Sequence, residues 1–311
     1  MRVSFDLDKD KDNSGKHKFF NNLRKELYKI GVEEVSSSEE SDVHLFVRKD
    51  NPLAKKNILR VDGIQINEMN SNQKKTLQEI QHQHRIKIKN ADGVIFQNEF
   101  CKKTAQKVLN MNGKNNVCIF NGADPEEFNV KPFVWKNKYF MTHAVWRPHK
   151  RLKETIMGFI ESKIKGVDLL VYGKIAEPQD IIHKNVHYMG WADREELNKS
   201  IVGSVAVVNI EYLSWSPNSS TEAIVAGKQV IHTSSGGNPL IIKDRGYRIK
   251  DTKWSFENIN LYDPPELRVD KIAKAYIESF NNPIKGFKSD DLYIANIAKQ
   301  YFNFFTKTLS L

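Results

Sequence analysis

Apolar and polar positions along the chain switch repeatedly between alternation and a three-to-four-residue spacing, the pattern of short strands alternating with helices. Val3, Phe5 and Leu7 alternate with polar residues as in a strand. After a polar loop, Phe19, Phe20, Leu23, Leu27 and Ile30 recur at helical spacing until Gly31 ends the helix. An exposed turn at 35–42 precedes strands at 43–47 and 57–63, and a polar helix over 70–90 carries Leu77, Ile80, His84 and Ile88 on one stripe. Residues 93–97 read as a strand, Asn98 and Glu99 open a helix through Leu109, and 117–120 is the next strand. This order predicts a parallel α/β sheet.

The alternation resumes after a turn at Asn121-Gly122 and Asp124-Pro125 and a linker near 129–137. A strand at 139–146 delivers Arg147 and Lys150 just before a helix with Ile156, Phe159 and Ile160. Residues 167–173 form a buried strand with Gly173 at its end. Within 185–197, a strand and the Gly190 turn lead to a helix capped by Asp193, with Glu196 at capping-box spacing. Core packing is one reading of Trp191 in that turn. After a strand at 204–210 and a later loop at 251–268, two amphipathic helices, 271–280 and 292–309, close the chain. The aromatic face of the last one, Tyr301, Phe302, Phe304 and Phe305, reads as core rather than membrane anchor.

Ser216 to His232 holds the densest chemistry. Pro217, Asn218, Ser219 and Ser220 are expected to cap a helix beginning near Thr221, so that unpaired N–H groups and the positive dipole end face a diphosphate. Glu222 then falls in the first helical turn, where its carboxylate is stabilised and can accept from two sugar hydroxyls. Arg147 and Lys150, at a strand's carboxyl end, suit the same diphosphate. Asp62, past another strand, is a candidate for a donor-sugar or acceptor hydroxyl; tying down its own loop is the alternative.

The run Pro217-Asn218-Ser219, Glu222-Ala223, Gly227, Val230-Ile231 and Ser235-Gly236-Gly237 resembles the donor site of retaining glycosyltransferases of family 4. Residues 90–103, 121–128 and 146–156 resemble further landmarks of that family in the same order, so the resemblance covers most of the chain. It implies the GT-B fold, with two Rossmann-like parallel-sheet domains facing across a cleft. The implied parts are an acceptor domain at 1–131, a nucleotide-sugar domain at 132–288 and a C-terminal helix at 289–311 that crosses back onto the first domain. It also implies donor contacts from Ser216, Asn218, Ser219, Ser220, Glu222, Gly173 and Trp191, and from Gly15 and Lys16 after the first strand. Gln97 and Asn98 inherit acceptor or donor contacts in the same way. Arg147 matches the family's arginine, and either Lys150 or Arg151 stands for its lysine. This chain departs from the pattern in three places: only Ser14-Gly15-Lys16 remains of the glycine-rich loop, Leu240 replaces an acidic residue, and Ser214 stands eight before Glu222 where the family has an acid. Glu211 lies three positions too early to be a simple match.

At 311 residues the chain is long enough for two domains, and 40% hydrophobic content supports packed cores. A net charge of +10 with pI near 9.3 suits an anionic partner, or equally a solvated surface over which the lysines are scattered. Such a partner is a nucleotide sugar at minimum, and an anionic membrane surface or nucleic acid beyond it. Cys101 and Cys118 are too few for a disulfide framework and read as packing residues. His82 and His84, two apart, cannot share a helix face for zinc, and the triplet Asp6, Asp8, Asp10 splits between strand and loop, so no metal site is expected. The opening residues lack a signal peptide's regions and no apolar run reaches the ~18 residues of a membrane span, which predicts a cytoplasmic protein, peripheral at the membrane if it meets one.

The expected activity is retaining transfer of a hexosyl or pentosyl group from a UDP- or GDP-sugar to an acceptor hydroxyl, without a cofactor. Arg147, Lys150 and the Ser219 turn would stabilise the departing diphosphate. A surface or lipid-linked glycan ranks first as acceptor and modified DNA second. A nucleotide-sugar epimerase and a non-catalytic sugar-nucleotide-binding module are the competing readings.

Overall fold

The computed structural model describes residues 1–7, 15–66, 76–109, 111, 113–175, 181–252, 254–256 and 259–311. They form two compact units, Met1–Asp124 with Asp291–Leu311, and Pro125–Asp290.

The first unit starts with β1 (Arg2–Phe5), α1 (Gly15–Lys29), β2 (Glu33–Glu34), β3 (Ser41–Phe46) and β4 (Ala54–Val61). It continues through α2 (Leu77–Asn90), β5 (Gly93–Phe96), α3 (Glu99–Leu109) and β6 (Asn116–Cys118). The strands pair in parallel in the order β2-β1-β3-β4-β5-β6. Val43, Leu45, Val94 and Ile95 are fully buried, as expected of strands covered on both faces. On α1 the predicted stripe is the buried one, with Phe19, Phe20, Leu23 and Leu27 in the core. Helix α2 begins at Leu77, behind a Thr76–Glu79 capping box; the earlier part of its predicted span, 70–75, lies outside the described residues. Asp6 of the acidic triplet is a loop tie: its carboxylate accepts the N–H groups of Val47, Arg48 and Lys49. Asp8 and Asp10 lie outside the described residues, as does Ser14.

The second unit contains β7 (Lys138–His143), α4 (Leu152–Ser162), β8 (Val167–Tyr172), β9 (Val186–Gly190), α5 (Arg194–Gly203) and β10 (Val207–Asn209). Helix α6 (Asn218–Val225), β11 (Val230–Thr233), α7 (Asn238–Ile242), β12 (Gly246–Ile249) and α8 (Val269–Asn281) complete it. Its sheet is also parallel, in the order β12-β11-β10-β7-β8-β9. From β7 the chain winds outward to β9, then returns and winds the other way from β10 to β12. The reversal places a topological switch point at the carboxyl ends of β7 and β10, where sheets of this kind bind ligands.

The last helix, α9 (Ile294–Leu309), belongs to the first unit. Ile294 N–H donates to Ala123 O at 2.9 Å, and Asn115 Nδ2 donates to Thr308 Oγ1 at 3.1 Å. Tyr301, Phe304 and Phe305 are buried in the first core with Phe302 packed against it, so the aromatic face is core. Among the described residues no helix is long and apolar enough to cross a membrane.

Candidate functional site

The loop after β7 is built to project charge from the switch point. Trp146 is buried and anchors it, its Nε1 donating to Tyr172 O at 2.9 Å and its N–H to Lys174 O at 3.0 Å. Gly173 permits this close approach: its φ is +105°, and a Cβ there would fall 1.9 Å from Ala144 O. Gly173 therefore shapes the site through its backbone. Arg147 stands exposed at the start of a short 3-10 turn, Pro148–Lys150, and its carbonyl accepts the Lys150 N–H at 2.8 Å.

Arg151 turns the other way. Its φ of 55° swings the side chain inward, where both guanidinium nitrogens pair with Asp251 at 3.0 Å and one also donates to Pro265 O at 2.7 Å. With 0% of its side chain exposed, Arg151 has no surface to offer a ligand. It locks the loop, whereas the Lys150 side chain is 26% exposed.

Lys150 Nζ lies 2.7 Å from Glu211 Oε1, while His149 Nε2 is 3.5 Å from the same oxygen. Burial pushes His149 down to about 4, against the opposing pull of Glu211, so at neutral pH the imidazole is uncharged and, among the described residues, Lys150 is the cation paired with Glu211. Lys150, Glu211, Trp146, Asn209 and Ser219 line one small pocket at the carboxyl ends of β7 and β10. By sequence Glu211 is set aside as three positions too early for a simple match; in the structure it stands two residues past β10 and reaches Lys150. An acid just beyond a strand's carboxyl end was the available signal.

Ser235, Gly236 and Gly237 buttress this turn. Ser235 Oγ accepts the Leu213 N–H at 3.2 Å and donates to Asp251 at 2.6 Å. Gly236 has φ +72° and packs so closely that a Cβ would sit 2.5 Å from Ser214 N; Gly237 N–H donates to Ser214 O at 2.6 Å. The Ser216 hydroxyl is buried without a hydrogen-bond partner among the described residues.

Helix α6 begins at Asn218, three residues earlier than Thr221, with Pro217 as its cap residue and no side-chain cap bond. Asn218 and Ser219 thus form its first turn and are half-buried. Ser220 is wholly buried, its hydroxyl bonded to Asn209 Nδ2 at 3.0 Å and Asn238 Oδ1 at 2.8 Å, so it holds the turn together and does not face solvent. The earlier start moves Glu222 into the second turn. There the residue is 4% exposed and its carboxylate is gripped by both terminal guanidinium nitrogens of Arg194, from α5. Arg194, 28 residues away in sequence, carried no recognisable signal. Asp193 caps α5 as predicted, accepting the Glu196 N–H at 2.8 Å. Nearby Trp191 is 73% exposed, which removes the core-packing alternative and leaves its ring face open.

In the first unit the structure brings together Lys16, Asp62, Arg60, Gln97 and Asn121. Asp62 pairs with Arg60 at 2.8 Å and Lys16 at 3.1 Å, and Gln97 Nε2 donates to it at 3.3 Å. Arg60 is buried over the Phe19 ring, 4.2 Å away, and also binds Asn121 Oδ1. Among the described residues Asp62 is held by side chains, with no hydrogen bond from a loop N–H group. Gly15 begins α1 beside Lys16 and is exposed. Asn98 caps α3 through the Cys101 N–H at 3.0 Å. Burial raises both thiols, Cys118 to about 12, in keeping with packing roles.

Burial also lowers His84 and His232 to about 4, and lowers His44. With His149, these groups bind protons near 6.5 when unfolded but only at lower pH when folded, near 4 for His84, His149 and His232. Their stability contribution is complete above 6.5 and is lost as pH falls toward 4. The melting temperature is expected to drop through that window, and His232→Asn to flatten the slope.

No protein-family model and no curated protein sequence matches the chain. Its likeness is to solved structures. Sucrose-phosphate synthase from Thermosynechococcus elongatus matches 99% of this chain and 99% of its own with a TM-score of 0.71 at 12% identity. Anabaena HepE, in complex with UDP and glucose, matches 99% of this chain and 100% of its own, with a TM-score of 0.61 at 13% identity. WaaG, a glycosyltransferase involved in lipopolysaccharide biosynthesis, matches 99% and 98%, with a TM-score of 0.62 at 13% identity. At such identities the likeness establishes the fold, which is GT-B: two Rossmann-like parallel-sheet units in one chain.

Proposed function

We propose that the protein is a retaining glycosyltransferase that moves a sugar from a nucleoside diphosphate sugar to an acceptor hydroxyl. The observation that carries this reading is the switch-point pocket. It joins Lys150 and the Ser219 turn, with Arg147 on the same loop, in a fold shared with proteins solved with UDP and with UDP-glucose. As the glycosidic bond breaks, negative charge grows on the departing diphosphate, and groups that meet it more strongly then than before raise the rate. Arg147, Lys150 and the first-turn N–H groups of α6 take that role. Glu222, fixed by the Arg194 fork, keeps lone pairs able to accept from a ribose or donor-sugar hydroxyl. Trp191 offers a face for the base, and Gly173 keeps the β7 and β8 loops close enough to shape the pocket.

In the first unit, Asp62 is assigned to a sugar hydroxyl, with Gly15 and Lys16 beside it. UDP-sugars rank first as donors, because UDP is the nucleotide bound in the HepE structures. A lipid-linked or surface glycan is the proposed acceptor. Incubation with a panel of nucleotide sugars and glycan acceptors, followed by NMR of the product, is expected to show released nucleoside diphosphate and a glycosidic bond with the donor's anomeric configuration. An inverted product refutes the retaining assignment. Donor hydrolysis and transfer both absent would favour a binding module instead.

A further inference from the structure

The end of the second sheet farthest from this pocket carries its own charged groove. Lys136 and Asn137 precede β7, Lys163 to Gly166 precede β8, and His183 to Asn185 precede β9, so parallel strands bring all three segments to one edge. They enclose a groove of about 650 Å³. Lys136, Lys163, Lys165 and Lys184 line it and are exposed, Phe159, Ile160 and Ile164 form its apolar floor, and among the described residues none that lines it is acidic. Glu161 reaches Lys163 at 3.6 Å, but both side chains are more than half exposed and such a pair is weak.

The lysines stand on a fixed frame. Asp168, wholly buried beneath them, accepts from Trp135 Nε1 at 2.7 Å, Asn137 Nδ2 at 3.1 Å and Asn185 Nδ2 at 2.7 Å. These bonds pin the residues flanking Lys136 and Lys184. Left-handed Lys163, φ 53°, and Gly166, φ 69°, set the turn that presents Lys163 and Lys165. Two bare aliphatic side chains flank the groove in sequence: Ile182 is 95% exposed next to His183, and Val134 is 88% exposed two residues before Lys136.

We propose that this edge docks on the headgroups of an anionic phospholipid bilayer. Lysine ammoniums act as point charges that suit a diffuse layer of lipid phosphates, whereas arginine forks are the usual choice for fixed bidentate phosphate contacts, and among the described residues no arginine lines the groove. Exposed Ile182 and Val134 then have an apolar layer to enter, which nucleic acid does not offer. The inference rests on this edge alone and does not depend on the transfer reaction.

Sedimentation of the full chain with vesicles of phosphatidylcholine, alone or mixed with phosphatidylglycerol, tests it. Binding is expected only with phosphatidylglycerol present and is expected to weaken as salt rises. Each lysine near an anionic surface contributes about fivefold to partitioning, so K136Q/K163Q/K165Q/K184Q lowers it by more than about a hundredfold. The charge-matched variant K55Q/K103Q/K271Q/K299Q, on exposed lysines elsewhere, retains most of the binding. Ile182→Ser weakens it further without altering charge. Equal losses in the two quadruple variants would overturn the proposal by showing a nonspecific charge effect. It fails equally if the wild type ignores anionic vesicles, or if the groove variant instead loses duplex DNA binding while vesicles remain unbound.

Discussion

Arg147→Ala is expected to lower turnover by about 10²–10³-fold, the cost of removing one pre-positioned group that stabilises developing charge. The melting temperature should hardly change. Arg147 is exposed, and no side-chain cap bond ties it to the turn it begins, so among the described residues its loss leaves no buried partner stranded. Arg147→Lys should recover part of the rate by restoring charge without the guanidinium fork. Lys150→Ala is a less clean test, because it leaves Glu211, 6% exposed, without its cation at 2.7 Å. A rate unaffected by Arg147→Ala, measured at saturating donor and acceptor, would remove Arg147 from the mechanism.

Arg151→Met is the opposite case, with a large effect on stability. It strands Asp251, whose side chain is 1% exposed and which has Arg151 as its bidentate partner. Removing one member of a buried pair costs about 3–5 kcal/mol, mostly because the other charge stays buried. Asp251 also receives the Ser235 hydroxyl that holds the Leu213 N–H, so the site turn should loosen as well. Arg151→Met with Asp251→Asn should be milder than Arg151→Met alone. All five tryptophans lie within Pro125–Asp290, so tryptophan fluorescence follows the unfolding of this unit in particular. An unchanged fluorescence midpoint in Arg151→Met would show that the pair contributes little.

What could be read from the sequence divides along physical lines. Period-two and helical spacing reflect contacts with a whole sheet or core, so β3, β4, β8 and α1 were legible from Val43, Ile58, Leu169 or Leu23 alone. Local capping was legible too, as at Asp193 and Glu196, because donor and acceptor are three residues apart. The two-residue β2 is too short to show a period, and in β12 only Ile249 is buried, so no apolar pattern marks it. Pairings across the chain were not legible. Arg151 and Asp251 are 100 residues apart, Arg194 and Glu222 28 apart, and neither member of such a pair announces the other. That is why Arg151 looked like an available cation and Glu222 like a carboxylate without a partner. The start of α6 was misplaced because a run of four cap-forming residues, Pro217 to Ser220, allows the helix to begin at any of several positions.

The central claim is that the switch-point pocket binds a nucleoside diphosphate as a leaving group. Free nucleoside diphosphate carries the full charge that the transition state only develops, so it should depend on Arg147 more than the intact nucleotide sugar does. Calorimetric titration of UDP, GDP and ADP, and of the matching sugar, into wild type and Arg147→Ala tests this directly. The account predicts one site per chain for one of these nucleotides, weakened by about tenfold or more in the variant, with a smaller change for its sugar. Absence of binding by all three, or an affinity that Arg147→Ala leaves unchanged, would contradict it.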